Sequence, residues 1–237
     1  MAQYDITPER TFNTPYAADE RVTVFLRSVY AWMCAGLGIT AVVAFFVAQS
    51  PGLVRTIAGN PIAYWGLMIL QLGIVFFLSA RVDKIASGTA SLLFLLYSAL
   101  TGVTFAFILL VFTGESVAMT FMVCAGMFGG LALYGTTTSR SLAGWGQFLF
   151  MGLIGVVLAS IVGMFWHNDA LQFVIGFIGV IVFTGLTAYD AQRLKEMALA
   201  LPSGQLGSYA IVGALTLYLD FINLFLMLLR FFGNRRD

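Results

Sequence analysis

The chain has 237 residues, of which 60% are hydrophobic and 10% are charged, and its net charge is +1. A soluble domain carries roughly a quarter charged residues, so this composition predicts a polytopic membrane protein embedded in the lipid bilayer. The lysines and arginines are dispersed along the sequence and form no basic patch. The balanced charge therefore gives no electrostatic case for nucleic-acid binding.

The amino-terminal region predicts a short polar segment followed by a membrane anchor. Residues 1–21 are polar, and an apolar run then extends from about Val22 to Ala48. This run is longer than the apolar core of a signal peptide, about 7–15 residues, and is long enough to cross a bilayer. We expect a polar cytoplasmic segment over 1–21, a transmembrane domain over 22–233 and a short tail over 234–237.

Seven hydrophobic segments follow one another and are separated by short loops with turn-forming or charged residues. Each segment is about as long as a membrane-spanning helix needs to be. The sequence therefore predicts an all-α fold, a seven-transmembrane-helix bundle. The segments lie at approximately 26–48, 62–80, 88–112, 117–136, 144–165, 170–191 and 208–231.

Small residues indicate where the predicted helices approach one another closely. Gly126 and Gly130 have the GxxxG spacing that is typical of close helix packing in membranes. Two further pairs with a spacing of three residues are Gly152 with Gly155 and Gly176 with Gly179.

The distribution of lysine and arginine predicts the orientation of the spans, because cytoplasmic loops carry the excess of these residues. The amino-terminal side of a seven-span chain carries Arg10, Arg21, Arg27, Arg81, Lys84, Arg140, Arg193 and Lys195. The opposite side carries Arg55, Arg230, Arg235 and Arg236. We expect a cytoplasmic amino terminus and an external carboxyl terminus, while the basic tail leaves a six-span or re-entrant alternative open.

Two carboxylates lie within the last two hydrophobic segments. Asp220 is deep inside the run LYLDFINLFLMLLRFFG (217–233), and Asp190 is at the end of the preceding segment. A charged side chain in hydrocarbon costs about 2.5–3.5 kcal/mol on insertion scales, so such residues usually face a bundle interior and mark an ion or proton path. These two acids are the leading candidate functional residues.

Polar residues accompany both acids at helical spacing. Thr216 and Asn223 recur with Asp220 at i, i+4 and i+7, so these three share a face. Thr184 and Thr187 precede Asp190 at intervals of three residues.

The two stripes predict the lining of a narrow hydrophilic path. If Asp190 and Asp220 come within hydrogen-bonding distance they would share a proton, or contact a hard cation such as Ca²⁺ transiently. The path then needs no bound cofactor. The alternative is that both acids are hydrogen-bonded contacts between helices. Pairing also requires the sixth span to continue to about Met197.

Arg81 ends the second hydrophobic segment on the same side of the membrane as Asp190. Its long guanidinium side chain can reach inward to a buried carboxylate, which makes it a candidate gating latch. The alternative is an ordinary flanking charge of the positive-inside kind.

Four strings carry a resemblance to a known family: YSALTG (97–102), AGMFGGLALYGTTT (125–138), GLTAYDAQRLK (185–195) and GALTLYLDFINLFLMLLRFFGNRR (213–236). They resemble bacterial members of the Bax inhibitor-1 family, also called transmembrane Bax inhibitor motif proteins. The resemblance implies a seven-helix bundle with the last helix at its centre. It also implies a pH-sensitive calcium leak in which Asp190 and Asp220 form the proton-sensing pair and Arg81 latches the closed state.

Two rival functions remain open at this point. Two acids on neighbouring helices are also the chemistry of intramembrane aspartyl proteases, but the GxGD motif of that class is replaced here by Leu217-Tyr218-Leu219-Asp220. A non-catalytic regulator that binds a membrane partner, such as a protease, is the second alternative. We expect a pH-sensitive cation leak channel of the bacterial inner membrane rather than an enzyme, with its oligomeric state left open.

Overall fold

The computed structural model describes residues 15–166 and 168–236, and these residues form eight α-helices without a β-strand. All of them except the short α2 are long and apolar enough to cross a membrane. The expected all-α, seven-span architecture is confirmed. The helices are α1 (Pro15–Ala48), α2 (Pro51–Ala58), α3 (Pro61–Arg81), α4 (Ser87–Val111), α5 (Gly114–Thr137), α6 (Ala143–Phe165), α7 (Asp169–Ala200) and α8 (Leu206–Phe232).

Two helices extend beyond the hydrophobic segments that predicted them. Helix α1 begins at Pro15, inside the region expected to be a separate polar segment, while residues 1–14 of that segment, with Arg10, lie outside the described residues. Helix α7 continues through the polar residues after Asp190 and ends at Ala200. This extension is the one that pairing of the two acids required.

Three of the helices, α3, α5 and α7, begin where the sequence supplies a capping side chain. The Asn60 carboxamide oxygen accepts hydrogen bonds from the first free backbone N–H groups of α3, and Asn168 does the same for α7. The Thr113 hydroxyl accepts from Ser116 N in α5. Such caps satisfy backbone donors that have no partner inside the helix.

Helix α8 is the centre of the bundle, as the family resemblance implies. It packs against α1, α4, α5 and α7, whereas α6 packs mainly against α7 and stands apart from α8. Between Ala210 and Arg230 every residue of α8 is buried except those on one stripe. We call these residues the open stripe of α8: Val212, Thr216, Leu219, Asn223, Leu226 and Arg230.

A buried aromatic cluster fixes α8 against α1 and α4. The Tyr218 hydroxyl and the Thr40 hydroxyl share a hydrogen bond of 2.6 Å. The rings of Phe94 and Tyr97 both meet the Tyr218 ring edge-on. Because its hydroxyl is paired with Thr40, Tyr218 can be fully buried without leaving that hydroxyl unsatisfied.

The close helix approaches do not occur where the GxxxG spacing predicted them. A Cβ atom built on Gly126 or Gly130 would have no neighbour within 4 Å, so this prediction was wrong. On the same helix, a Cβ atom on Gly135 would overlap the carbonyl oxygen of Ala188 in α7. Spacing alone cannot show which face of a helix meets a partner, and the face of Gly126 and Gly130 does not.

We expect Gly135→Ala to destabilise the protein because the added methyl group must push α5 away from the backbone of α7. Overpacking of this kind typically costs about 1–3 kcal/mol, which exceeds the gain of about 1 kcal/mol in helix propensity. The midpoint of thermal unfolding in detergent should therefore fall. Gly130→Ala is the matched control on the same helix, and its midpoint should stay the same or rise. An equal response of the two variants would contradict the close approach.

Candidate functional site

The gap between α6 and α8 holds a cavity of about 490 Å³ that contains both predicted acids. We call it the acid cavity. Helix α7 forms its floor, and the open stripe of α8 forms one wall. Its volume is enough for several water molecules at about 30 Å³ each. The cavity is lined by Gly146, Gln147, Phe150, Leu153, Phe183, Leu186, Tyr189, Asp190, Arg193, Thr216, Leu219, Asp220 and Asn223.

Asp190 and Asp220 meet in this cavity. Both side chains line the cavity, and only 9% and 6% of their surfaces are exposed. The Oδ2 atom of Asp220 is buried and has no hydrogen-bond partner among the described residues. Two neighbouring carboxyl groups in a shielded site repel each other when both are ionised, which favours a single shared proton.

Thr216 and Asn223 line the acid cavity one turn to either side of Asp220. The Thr216 hydroxyl donates to Val212 O at 3.1 Å, and the Asn223 amide donates to Leu219 O at 2.8 Å. Both side chains therefore use their donors within α8. Their side-chain oxygen atoms keep lone pairs that can face a cation or water.

The structure does not bring Thr184 and Thr187 to the acid cavity. Thr187 is fully buried, and its hydroxyl donates to Phe183 O at 2.8 Å within α7. Thr184 lines a different cavity on the other side of the helix. An α-helix turns about 100° per residue, so intervals of three residues drift and place Thr184 roughly 120° away from Asp190.

Arg81 lies outside the acid cavity, and Arg193 lines it. Arg81 is exposed at the end of α3 and forms no ion pair within the described part of the chain. Arg193 follows Asp190 by three residues on α7, and its side chain is exposed where it lines the cavity. The sequence showed Arg193 only as a loop charge because α7 was expected to end before it.

The donor set of the cavity suits a passing cation better than a resident one. Within the described residues, no three Asp, Glu, His or Cys side chains cluster as a metal site would require. Calcium takes six to eight oxygen ligands. Besides the two carboxyl groups, the cavity is lined by the hydroxyl residues Thr216 and Tyr189 and the carboxamide residues Gln147 and Asn223. Only two of these six groups carry charge, which favours weak and reversible contact.

Comparison with known proteins places the chain in a family. The model of the family described as inhibitor of apoptosis-promoting Bax1 matches residues 22–237. The chain belongs to the Bax inhibitor-1 family. The inner membrane protein YbhL of Escherichia coli is 52% identical over 215 residues, which cover 90% of this chain and 92% of YbhL.

More distant relatives extend the match along the chain. A Borreliella burgdorferi protein is 44% identical over 90% of this chain and 93% of its own length. A Deinococcus radiodurans protein is 40% identical over 100% of this chain and 98% of its own length.

Tyr189 divides the acid cavity of this Bax inhibitor-1 family protein from the neighbouring cavity that Thr184 lines. Tyr189 contributes to both linings. Its ring packs over Gly146 so closely that a Cβ atom there would lie 2.5 Å from the ring. Glycine at 146 therefore lets the aromatic ring of α7 lie flat against α6. No sequence pattern indicates this role, which depends on how two helices meet.

A second cavity lies at the other end of the open stripe. It has a volume of about 650 Å³ and is lined by Leu226, Arg230 and Asp169 among others. The Arg230 guanidinium donates to Gln172 Oε1 at 3.2 Å. The acid cavity ends at Asn223 and shares no lining residue with this outer cavity. Between Asn223 and Leu226 on α8 lie Leu224 and Phe225, which are both buried.

We expect a cysteine on the open stripe to react with a small, charged thiol reagent, because such reagents react only where water reaches the thiol. Thr216→Cys should be labelled in a background that lacks Cys34 and Cys124. Leu217→Cys is the matched control, since the next residue of α8 is fully buried and should remain unlabelled. Labelling is measured by mass spectrometry on the protein in liposomes. Absence of labelling at position 216 would mean that the acid cavity holds no water.

Proposed function

We propose that this Bax inhibitor-1 family protein is a pH-sensitive cation leak channel with Ca²⁺ as the transported ion. The observation that carries the proposal is the meeting of two buried carboxyl groups in a cavity beside the one open stripe of the central helix. Such carboxylates at membrane depth usually mark an ion or proton path. By analogy with the E. coli inner membrane protein we place it in the inner membrane, with a cytoplasmic amino terminus from the positive-inside rule.

The acid pair is the pH-sensing element of the proposal. When Asp190 and Asp220 share one proton, the cavity keeps a single negative charge. Uptake of a second proton removes that charge and with it the attraction for a neighbouring guanidinium group. The closed state that this attraction stabilises then loses its stabilisation, so the leak rises as the pH falls.

The path runs along the open stripe of α8 from the acid cavity to the outer cavity. Thr216 and Asn223 flank the acids with oxygen atoms, and Leu226 follows one turn later. An apolar constriction between two hydrated cavities blocks ions until it widens or wets. We assign the described structure to the closed state on this ground.

Two arginines are candidates for the latch. Arg193 lines the acid cavity on the same helix as Asp190, which is the specific observation in its favour. Arg81, which the family resemblance favours, lies at the end of α3 and would have to move into the cavity to pair with Asp190. Arg193 is exposed, and an exposed charge pair contributes about 0–1 kcal/mol, so its attraction for Asp190 shifts the balance between closed and open states by about fivefold at most.

A proteolytic role for the acid pair fits the packing less well. The two glycines of the protease motif are replaced by Leu217, which is fully buried, and by Leu219, whose side chain lines the acid cavity next to Asp220. A substrate backbone could not approach Asp220 from that side. We therefore propose that the pair binds protons and cations without catalysing a reaction.

We expect Asp190→Asn and Asp220→Asn each to flatten the dependence of Ca²⁺ flux on pH. Asparagine keeps the shape of the side chain but neither ionises nor shares a proton. Flux into proteoliposomes that contain the purified protein is measured between pH 5 and 8. Glu115→Gln is the control, because Glu115 is exposed outside both cavities and its replacement should leave the curve unchanged. If both asparagine variants keep the parental midpoint, the pair is a structural contact between helices.

Replacement of the latch should raise the leak at neutral pH, where the acid pair still carries its charge. We expect Arg193→Gln to raise the initial Ca²⁺ flux at pH 7.5 several-fold, because the positive charge that lines the acid cavity with Asp190 is removed. Arg81→Gln, measured in parallel, should change the flux little while α3 remains in its described position. A rise confined to Arg81→Gln would assign the latch to Arg81, and no rise in either variant would exclude an arginine latch.

A further inference from the structure

A third cavity opens on the outer surface of α7, between α5 and α6. It has a volume of about 540 Å³ and is almost entirely apolar apart from one end. We call it the side groove. Its floor is formed by Gly185 and Ala188 of α7, whose small side chains leave the groove deep. Its walls and rim are formed by Leu131, Tyr134, Arg140, Ser141, Leu142, Trp145, Phe148, Leu149, Ile181, Thr184 and Tyr189.

The side groove faces the hydrocarbon of the bilayer. Helices α5 and α6 both pack against α7, away from the central helix in the case of α6. Tyr134, Trp145, Phe148 and Ile181 line the groove and each expose more than half of their surface. Within a membrane, acyl chains are the medium that covers such side chains. Tyrosine and tryptophan are also the residues that concentrate at the level of lipid headgroups.

Arg140 stands at the polar end of the groove on a loop that α7 holds in place. Gln192 accepts a hydrogen bond from Leu142 N at 2.7 Å and donates one to Arg140 O at 2.9 Å. Lys195 donates to Thr136 O at 2.8 Å and adds a second positive charge beside this loop. The loop backbone is therefore fixed at both ends, while the Arg140 side chain is exposed.

The start of α6 adds to the positive potential at this rim. The helix begins next to Arg140 without a side-chain cap, and the amino-terminal end of a helix attracts negative charge. The groove thus combines an apolar body at membrane depth with a positive end at one membrane face. An anionic amphiphile complements this pattern, because its apolar chain matches the body of the groove and its negative headgroup matches the positive end.

We propose that the side groove is a binding site for a phospholipid with an anionic headgroup. One acyl chain lies in the groove between α5 and α6, and the phosphate lies at Arg140. Basic pockets between transmembrane helices recognise anionic headgroups in this way. The apolar body of the groove matches the acyl chain, and the exposed Arg140 side chain at its polar end matches the charge of the phosphate.

The site is tested with Trp145 as a fluorescent reporter, because this side chain lines the groove. The other three tryptophans are replaced by phenylalanine, and the protein is reconstituted in phosphatidylcholine vesicles with increasing brominated phosphatidylglycerol. Bromine quenches a tryptophan that it touches, so the curve gives the relative binding constant of the two lipids. One basic residue near a membrane surface contributes about 1 kcal/mol, and we therefore expect about a fivefold preference for the anionic lipid.

Matched variants locate the preference at the groove. Arg140→Gln should reduce it to about equal binding of the two lipids, whereas Arg140→Lys should keep most of it. Arg27→Gln removes an exposed charge of α1, outside the groove, and should have no effect. A protein whose only tryptophan is the lipid-exposed Trp65 of α3 should show no preference.

Three outcomes would overturn the proposal: equal quenching of Trp145 by both lipids, a preference that survives Arg140→Gln, or the same preference at Trp65. The last outcome would describe lipid attracted by the whole protein rather than by the groove. The measurement does not involve ion flux, so the lipid site stands or falls independently of the proposed leak. Circular dichroism of each variant verifies that loss of the preference is not loss of the fold.

Discussion

A carboxylate in the middle of a membrane-spanning helix has to be kept away from hydrocarbon, and the arrangement around Asp220 follows from this constraint. The last helix lies at the centre of the bundle, with all but one stripe of its circumference covered by α1, α4, α5 and α7. Asp220 lies beside that stripe, where α7 supplies Asp190 as its neighbour. Since α6 leans on α7 rather than on α8, the space beside the two acids remains open as a cavity. The same helix arrangement buries the charge and leaves a route to it.

The sequence predicted the parts of this arrangement that depend on hydrophobicity and helical period. The lengths of the apolar segments alone predict seven spans. Thr216 and Asn223, at i−4 and i+3 relative to Asp220, predict one polar face on the last helix. Thr216, Asp220 and Asn223 do reach one cavity because four-residue and three-residue intervals alternate and their angular drifts cancel. Meeting of Asp190 with Asp220 was also foreseeable once α7 was allowed to continue into its polar carboxyl-terminal residues.

Other features depend on which face of a helix meets which neighbour, and no single sequence specifies that. Thr184 is separated from Asp190 by two intervals of three residues, whose drifts add, so it faces a different cavity. Arg193 faces the acids because α7 is longer than its apolar segment, whereas Arg81 ends a helix on the periphery. The close approach at Gly135 likewise depends on the backbone of α7, which residue spacing cannot reveal. For the same reason the GxxxG spacing of Gly126 and Gly130 predicted a close approach that does not occur.

The Tyr189 side chain lines the acid cavity and also the side groove. Gly146 leaves the space that its ring occupies against α6. A molecule in the side groove therefore contacts Tyr189, which also lines the cavity that contains Asp190 and Asp220. If the groove holds lipid, the headgroup and chain composition of the surrounding leaflet becomes an input to the electrostatics of the central helix. The same polypeptide would then behave differently in membranes of different composition, with no change in its sequence and no soluble messenger.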